Sequence, residues 1–185
     1  FVDKFDVNTT DARGQFYTDG QTKEIVNMGN FNDGYAVQKF RNVDVNGVRG
    51  SDKSGTFSDA DFPIFRLADA YLMYAECAVR GAGGATKALA KTYVDALRTR
   101  SNTSTVLEGT LTLDFILDER ARELHWEGQR RTDLIRFGKF SGGSYLWPWK
   151  GNSLNGTAIP DTYKLFPIPQ RAMEGNPNLT QNPGY

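Results

Sequence analysis

The sequence predicts a mainly α-helical protein, with a helical hairpin and an arginine-rich helix between a loop-rich N-terminal segment and a proline-rich tail. Apolar residues recur at helical spacing from Pro63 to about Phe140, whereas the residues before Pro63 are rich in glycine, asparagine and aspartate. Six of the 7 prolines follow Phe140, and proline disfavours regular helices. We therefore expect one domain over 1–185, with loops and short strands at 1–62, helices at 63–140 and an irregular tail at 141–185.

The composition excludes several classes of function. The 22 Lys and Arg residues balance the 22 Asp and Glu residues, so no field of one sign favours nucleic acid as a partner. No apolar run approaches the roughly 20 residues of a membrane-spanning helix. The chain begins at Phe1 with neither a methionine nor a signal peptide, so we expect a piece of a longer protein. Cys77 stands among apolar residues, which predicts a small buried side chain.

The N-terminal segment carries signals for short hairpins. Residues 35–40 alternate between apolar and polar side chains, as half-buried strands do. Gly34 follows Asp33 and Gly47 follows Asn46, and both dipeptides favour tight turns. We therefore expect loops and small hairpins before the first helix.

Two helices follow and should pack as a hairpin. Apolar residues at helical spacing predict the first helix over residues 63–80, with Pro63 in its first turn. The glycines of residues 81–84 should end it, and Thr86 can cap a second helix that continues to about Arg100. The packing positions of the first helix match those of a tetratricopeptide-like helical hairpin: Ile64, Leu67, Ala68 and Tyr71.

A third helical pattern begins near Thr112 and continues to Gly128. Asp118 and Arg122 are four residues apart and can pair on its charged face. Gly128 should weaken the helix, so we expect a short helix or a bent continuation to about Phe140. The remaining prolines predict an extended tail that wraps the helices.

Three stretches resemble a known family in order and spacing. Residues 65–76 (FRLADAYLMYAE) resemble the helix that opens the C-terminal helical part of the SusD/RagB family. Residues 119–136 (ERARELHWEGQRRTDLIR) resemble its arginine-rich stretch, and residues 166–185 contain its FPIP and NPNL-x-QNPGY ending. Residues 11–20 (DARGQFYTDG) are similar to members that bind starch-type α-glucans. The chain therefore looks like the C-terminal portion of such a protein.

The resemblance implies the function. Family members are surface-exposed lipoproteins of the outer membrane that capture oligosaccharides for a SusC-like TonB-dependent transporter. They are not enzymes, and no cofactor is required. The lipid-bearing cysteine of the family is absent from this chain, so we expect membrane contact only through an anchor outside it. Much of the sugar pocket in the family comes from residues upstream of this segment.

The charged residues of the arginine-rich stretch have two interpretations. Glu119, Glu123 and Glu127 could share a helix face like the paired acids of a glycosidase. Such spacing is common on helices, and arginine forks can instead tie a bent helix to the tail, which is the interpretation we favour. His125 is the only histidine, so a zinc site has little support.

Two further groups are candidates for binding. Tyr145, Trp147 and Trp149 form the densest aromatic cluster and could stack on sugar rings, although large aromatic residues more often pack in cores. Asp59 and Asp61 could bind a structural calcium ion, but acids before a helix are equally explained by the helix dipole.

Two rival functions stay open. The helical hairpin could be a protein-interaction module that contacts only the transporter, with the sugar site elsewhere in the longer protein. A glycosidase would instead release reducing ends from starch.

Overall fold

The computed structural model describes residues 1–5 and 10–185. They divide into two compact units, Phe1–Arg130 and Arg131–Tyr185, and each unit is described by itself. The expected single domain over residues 1–185 stays a prediction. The fold is dominated by helices, as predicted.

The first unit begins with loops, single helical turns and short strands, as expected for 1–62. Strand β1, Phe16–Tyr17, pairs antiparallel with strand β2, Ala36–Val37. Val43 also forms an antiparallel bridge with Arg49 across a turn in which Gly47 has φ 79°. That left-handed conformation suits glycine, which explains the turn signal at this position.

Helix α1, Leu67–Val79, begins four residues later than predicted, so Pro63 does not lie in its first turn. Arg66 has φ −150° and ψ 155°, which is extended backbone. Its guanidinium group is held by Glu123 and Glu127, far along the chain. Ile64 precedes the helix and Leu67 begins it, and both are exposed, so neither packs as a tetratricopeptide-like residue should.

Helix α2, Lys87–Arg100, has the predicted bounds and the predicted cap. The Thr86 hydroxyl accepts a hydrogen bond from the Leu89 amide at 3.3 Å. α1 and α2 pack together as a hairpin, and the Tyr71 and Tyr93 rings stack with centroids 4.3 Å apart. The buried apolar residues of the hairpin are small or branched: Ala68, Leu72, Ala75, Ala78, Ala90, Val94 and Leu97.

Helix α3, Leu113–Leu124, packs against α1 and ends before the predicted Gly128. The Thr112 hydroxyl caps it by accepting a hydrogen bond from the Phe115 amide at 3.2 Å. Trp126, which lies within the predicted extent of this helix, has φ 61° and is 70% exposed. The predicted pair of Asp118 and Arg122 is also wrong, because Asp118 pairs with Lys4 and Arg122 with a buried acid of its own helix.

Gly128 has φ 75° and separates α3 from the short helix α4, Arg130–Arg136, as its position predicted. In the second unit, Arg131 Nη2 donates to the backbone oxygens of Tyr163 and Lys164 at 2.7 and 3.1 Å. The same guanidinium lies 4.1 Å from the centroid of the Phe166 ring. The prediction that an arginine ties helix to tail is confirmed for Arg131.

The tail contains one regular helix that we did not predict, α5, Gln170–Gly175. It follows Pro169, whose fixed φ suits the start of a helix. Among the residues described, no helix is long and apolar enough to cross a membrane.

Candidate functional site

Glu119 lies in the middle of α3 and its side chain is completely buried. Its carboxylate accepts hydrogen bonds from Arg13 at 2.8 Å, Arg98 at 2.9 Å and Arg122 at 2.5 Å. A buried carboxylate is tolerable only when paired and hydrogen-bonded, and here three guanidinium groups fulfil that need.

Glu123 lies one turn later and is held in the same way. Arg13 donates to it at 3.0 Å, Arg66 at 2.6 Å and Arg100 at 2.7 Å. Burial opposes ionisation of Glu123, but the hydrogen bonds from Arg100 and Arg66 outweigh it and lower the pKa to about 2. This carboxyl group therefore stays ionised at neutral pH.

Two further buried pairs complete this cluster. Glu127 accepts hydrogen bonds from Arg66 at 2.7 Å and also from Lys39, and these outweigh burial and lower the pKa of Glu127. Arg120 is nearly fully buried, with Nη1 2.8 Å from Asp69 Oδ1 on α1. We call these ion pairs the charged framework, and its acids are Asp69, Glu119, Glu123 and Glu127.

The charged framework does not have the chemistry of a hydrolase. A glycosidase needs one carboxyl group that holds a proton near neutral pH, which requires a raised pKa. Burial would raise the pKa of Glu119, but the positive charges of Arg122 and Arg13 outweigh burial and lower it. The arginines occupy the oxygens that a substrate would have to approach, so the arrangement favours the scaffold interpretation.

His125 is not placed for metal binding. Burial lowers its pKa, and its Nδ1 lies 2.9 Å from the Arg122 backbone oxygen. Within 1–5 and 10–185, no group of three or more His, Cys, Asp or Glu residues could hold a metal ion.

The predicted aromatic residues lie in a compact segment of the second unit, residues 142–159, which we call the aromatic loop. Its ends are joined by a hydrogen bond from the Gly142 amide to the Ile159 oxygen at 2.8 Å. Lys150 lies inside it, 1% exposed, and donates to the backbone oxygens of Gly142 and Tyr145 at 2.7 and 2.8 Å. The loop is therefore built around a buried ammonium group.

Two of the three predicted rings, those of Tyr145 and Trp147, are brought close together. The Tyr145 and Trp147 centroids are 6.2 Å apart, and the Phe140 centroid lies 6.4 Å from that of Trp147. Tyr145, Trp147 and Trp149 are each half-buried, so their rings pack within the loop and keep part of their surface open to solvent. The Lys150 ammonium lies 4.7 Å from the Trp147 centroid, within the range of a cation–π interaction.

The backbone of the aromatic loop is tightly fixed. Trp149 has φ 68°, which is unusual for a bulky residue. The Trp149 amide donates to the Ser153 oxygen at 2.9 Å, which holds this turn. A Cβ on Gly156 would lie 2.4 Å from the Trp147 oxygen, so only glycine allows this approach. The rings are thus presented on a loop with little freedom.

Asp59 and Asp61 are both exposed. The Asp59 carboxylate accepts hydrogen bonds from the Ser51 amide at 2.5 Å and the Ser51 hydroxyl at 2.9 Å. The calcium hypothesis stays a prediction.

Two residues differ from what the sequence suggested. Lys150 carries no local signal of burial, because its partners are backbone oxygens that converge only when the loop is folded. Cys77, expected to be buried, is exposed on the outer side of α1. Its apolar neighbours in sequence lie on the other side of the helix.

Comparison with known proteins gives a consistent relationship. The family model SusD_RagB, described as the SusD family, matches residues 6–185. The starch-binding protein SusD of Bacteroides thetaiotaomicron is 40% identical over 158 residues, which cover 85% of this chain and 27% of that protein. The SusD-like protein P25 of Formosa agariphila is 36% identical over 160 residues, covering 80% and 28%. The chain thus spans about a quarter of the length of these relatives.

Solved structures show the same fold. Surface glycan-binding protein A from Bacteroides uniformis matches with a TM-score of 0.69 and 25% identity, over 98% of this chain and 39% of that one. A SusD superfamily protein from Bacteroides thetaiotaomicron matches with a TM-score of 0.58 and 28% identity, over 88% and 36%. With a family match over nearly all of its residues and this fold, the chain belongs to the SusD family.

Proposed function

We propose that the protein is a glycan-binding component of an outer-membrane polysaccharide uptake system. It captures starch-type α-glucan oligosaccharides at the cell surface and passes them to a SusC-like TonB-dependent transporter. The observation that carries this proposal is the 40% identity to the starch-binding protein SusD. A lipid anchor outside the present chain would hold it at the outer membrane.

Within this chain, we propose the aromatic loop as a sugar-contacting surface. Sugar rings have apolar C–H faces, and an aromatic ring offers an apolar face of matching size. Tyr145 and Trp147 are close together, and both of these rings and Trp149 are partly open to solvent. Because Lys150 and the loop backbone already hold these rings, little conformational freedom is lost on binding.

We propose binding without catalysis. The carboxyl groups that resemble a glycosidase pair, Glu119 and Glu123, are buried and ion-paired, and both have lowered pKa values. Neither can supply a proton to a glycosidic oxygen at neutral pH. The protein should therefore release no reducing ends from starch, even at high protein concentration. Appearance of reducing ends that depends on Glu119 or Glu123 would contradict this.

The experiment is a titration with maltoheptaose by isothermal calorimetry, which does not depend on which tryptophan reports binding. We expect saturable binding by the wild type and a loss of about tenfold or more in affinity for Trp147→Ala, since a buried aromatic contact contributes more than 1.4 kcal/mol. Trp126→Ala is the matched control, because Trp126 is exposed but lies in the first unit. Equal affinities for wild type and Trp147→Ala would show that the aromatic loop does not contact the sugar.

A second function is favoured by the outer side of α1. Leu67 is 63% exposed and Met73 48% exposed, and Ala70 and Cys77 lie on the same side. Such an apolar stripe suits a module that contacts the transporter while sugar binds elsewhere in the longer protein. In that case maltoheptaose gives no heat, and Leu67→Glu/Met73→Glu abolishes retention by the immobilised transporter.

A further inference from the structure

A cleft lies in the first unit and is formed by residues that belong neither to the aromatic loop nor to the charged framework. It has a volume of about 400 Å³ and lies between the turn of residues 42–50 and the segment that follows it. We call it the hairpin cleft. The polar residues that line it include Arg41, Asn42, Arg49, Ser51, Lys53 and Asp59.

The hairpin contributes two arginines, Arg41 and Arg49, to the lining of the cleft. Val43 is paired antiparallel with Arg49, the Asp44 amide donates to the Val48 oxygen at 2.9 Å, and the Gly50 amide donates to the Asn42 oxygen at 3.1 Å. Before this pairing the backbone turns, because the Val43 amide donates to the Arg41 oxygen at 2.8 Å. Arg41 and Arg49 both line the cleft of about 400 Å³, so both guanidinium groups can reach one small anion in it.

The floor of the cleft is fixed by side-chain hydrogen bonds. The Asn42 side chain donates through Nδ2 to the Phe57 backbone oxygen at 3.3 Å. Its Oδ1 accepts a hydrogen bond from the Asp59 backbone amide at 2.9 Å. A Cβ on Gly50 would lie 2.6 Å from the Asn42 side-chain amide, so a larger residue here would displace that amide. Lys53 Nζ donates to the Gly50 oxygen at 2.6 Å, which brings a third positive charge to the cleft.

The acids of the cleft do not pair with these arginines. Asp44 Oδ1 accepts from the amides of Asn46 and Val48 at 2.8 and 2.9 Å, and Asp59 accepts from Ser51. In the part of the chain that the structure describes, no hydrogen bond or ion pair engages the guanidinium group of Arg41 or Arg49. Like charges in one cleft repel each other, and an anion bound between them offsets that repulsion.

We propose that the hairpin cleft binds an oxyanion carried by a saccharide, a carboxylate or sulfate ester, with Arg41 and Arg49 as its two forks. A guanidinium group matches the geometry of such groups and can donate two parallel hydrogen bonds. The saccharide as carrier rests on the proposed glycan-binding function. The site would extend recognition to acidic glycans and is separate from the aromatic loop, which suits neutral sugar faces.

The test is calorimetry on the protein, with EDTA present to exclude divalent cations. The ligands are trigalacturonate, maltotriose of equal length, and inorganic sulfate. We expect trigalacturonate to bind more tightly than the other two and to weaken with added NaCl, because exposed charges are screened by salt. Arg41→Gln/Arg49→Gln should weaken it about tenfold or more, the loss expected from removing charged hydrogen bonds.

Arg171→Gln is the matched control, since Arg171 is an exposed arginine of the second unit. Unfolding temperatures of the variants should equal that of the wild type, because all three arginines are exposed. Unchanged trigalacturonate affinity in Arg41→Gln/Arg49→Gln, or an equal loss in Arg171→Gln, would overturn the proposal. Sulfate that binds as tightly as trigalacturonate would overturn its saccharide part.

A maltoheptaose titration keeps this inference distinct from the proposed function. If maltoheptaose fails to bind while trigalacturonate binds through Arg41 and Arg49, the starch-type substrate is wrong and the hairpin cleft stands. If maltoheptaose binds and trigalacturonate does not, the proposed function stands and the hairpin cleft is wrong.

Discussion

The ammonium group of Lys150 lies 4.7 Å from the centroid of the Trp147 ring and also donates to two backbone oxygens of the same loop. One buried charge thus fixes both the backbone and a ring of the aromatic loop. We expect Lys150→Met to destabilise the second unit, because the oxygens of Gly142 and Tyr145 lose a charged donor, and a hydrogen bond to a charged group contributes about 1.5–3 kcal/mol.

Urea unfolding and near-ultraviolet circular dichroism would measure this effect, and maltoheptaose affinity should fall with the loss of ring order. Lys87→Met is the control, because Lys87 is exposed at the start of α2. An unchanged tryptophan spectrum in Lys150→Met would mean that the loop does not depend on the buried ammonium.

Gly156 is the second residue on which the aromatic loop depends. Gly156→Ala would bring a Cβ to 2.4 Å from the Trp147 oxygen and would force φ 76° on alanine. We expect a lower unfolding temperature, corresponding to about 1–3 kcal/mol of strain, and weaker maltoheptaose binding. Gly175→Ala is the control and should leave the unfolding temperature and the maltoheptaose affinity unchanged, since open space surrounds Gly175. If Gly156→Ala binds maltoheptaose with wild-type affinity, sugar recognition does not depend on the geometry of this loop.

The low pKa of Glu123 predicts how stability depends on pH. Its pKa in the folded protein is about 2, below its ordinary value of 4.5, so the unfolded state takes up a proton first as pH falls. The stabilisation is complete above pH 4.5 and is lost as pH falls toward 2. The free-energy difference between wild type and Glu123→Gln, from urea unfolding, should therefore shrink across that window.

Glu108→Gln is the control for Glu123→Gln, because it changes an exposed carboxyl group. Its free energy of unfolding should stay within about 0.5 kcal/mol of wild type at neutral pH. A gap between wild type and Glu123→Gln that stays constant from pH 5 to pH 2.5 would show that Arg66 and Arg100 do not lower this pKa.

Arg120 tests the difference between a buried and an exposed ion pair. Arg120→Ala leaves Asp69 without its guanidinium partner on the buried side of α1, and breaking a buried pair costs about 3–5 kcal/mol. Lys23→Ala removes the exposed pair with Asp3 and should cost less than about 1 kcal/mol. Chemical unfolding of both variants gives the comparison. Similar losses in the two would contradict a buried framework.

Local patterns predicted the helices well, because the signals that fix their ends are close in sequence. Thr86 and Thr112 cap α2 and α3 through amides three residues away. The start of α1 could not be predicted in this way, since Arg66 is drawn into extended backbone by Glu123 and Glu127. Non-local contacts decided the positions at which local patterns failed.

The candidate site shows the same division. The aromatic cluster of Tyr145, Trp147 and Trp149 is visible in the sequence because its residues are adjacent. Lys150 was not, since a lysine is usually exposed and its buried partners are backbone oxygens. Arg41 and Arg49 line one cleft only because the chain turns back between them, which neither arginine reveals alone.

Arg13 binds Glu119 and Glu123, which follow it by 106 and 110 residues. Closing so long a loop costs chain entropy, whereas the contacts of α1 with α2 close only a short connection. The helical hairpin should therefore form early in folding, and the arginine should dock late. In a nascent chain, Arg13 emerges first and has to wait for α3 to be synthesised before its two acids exist.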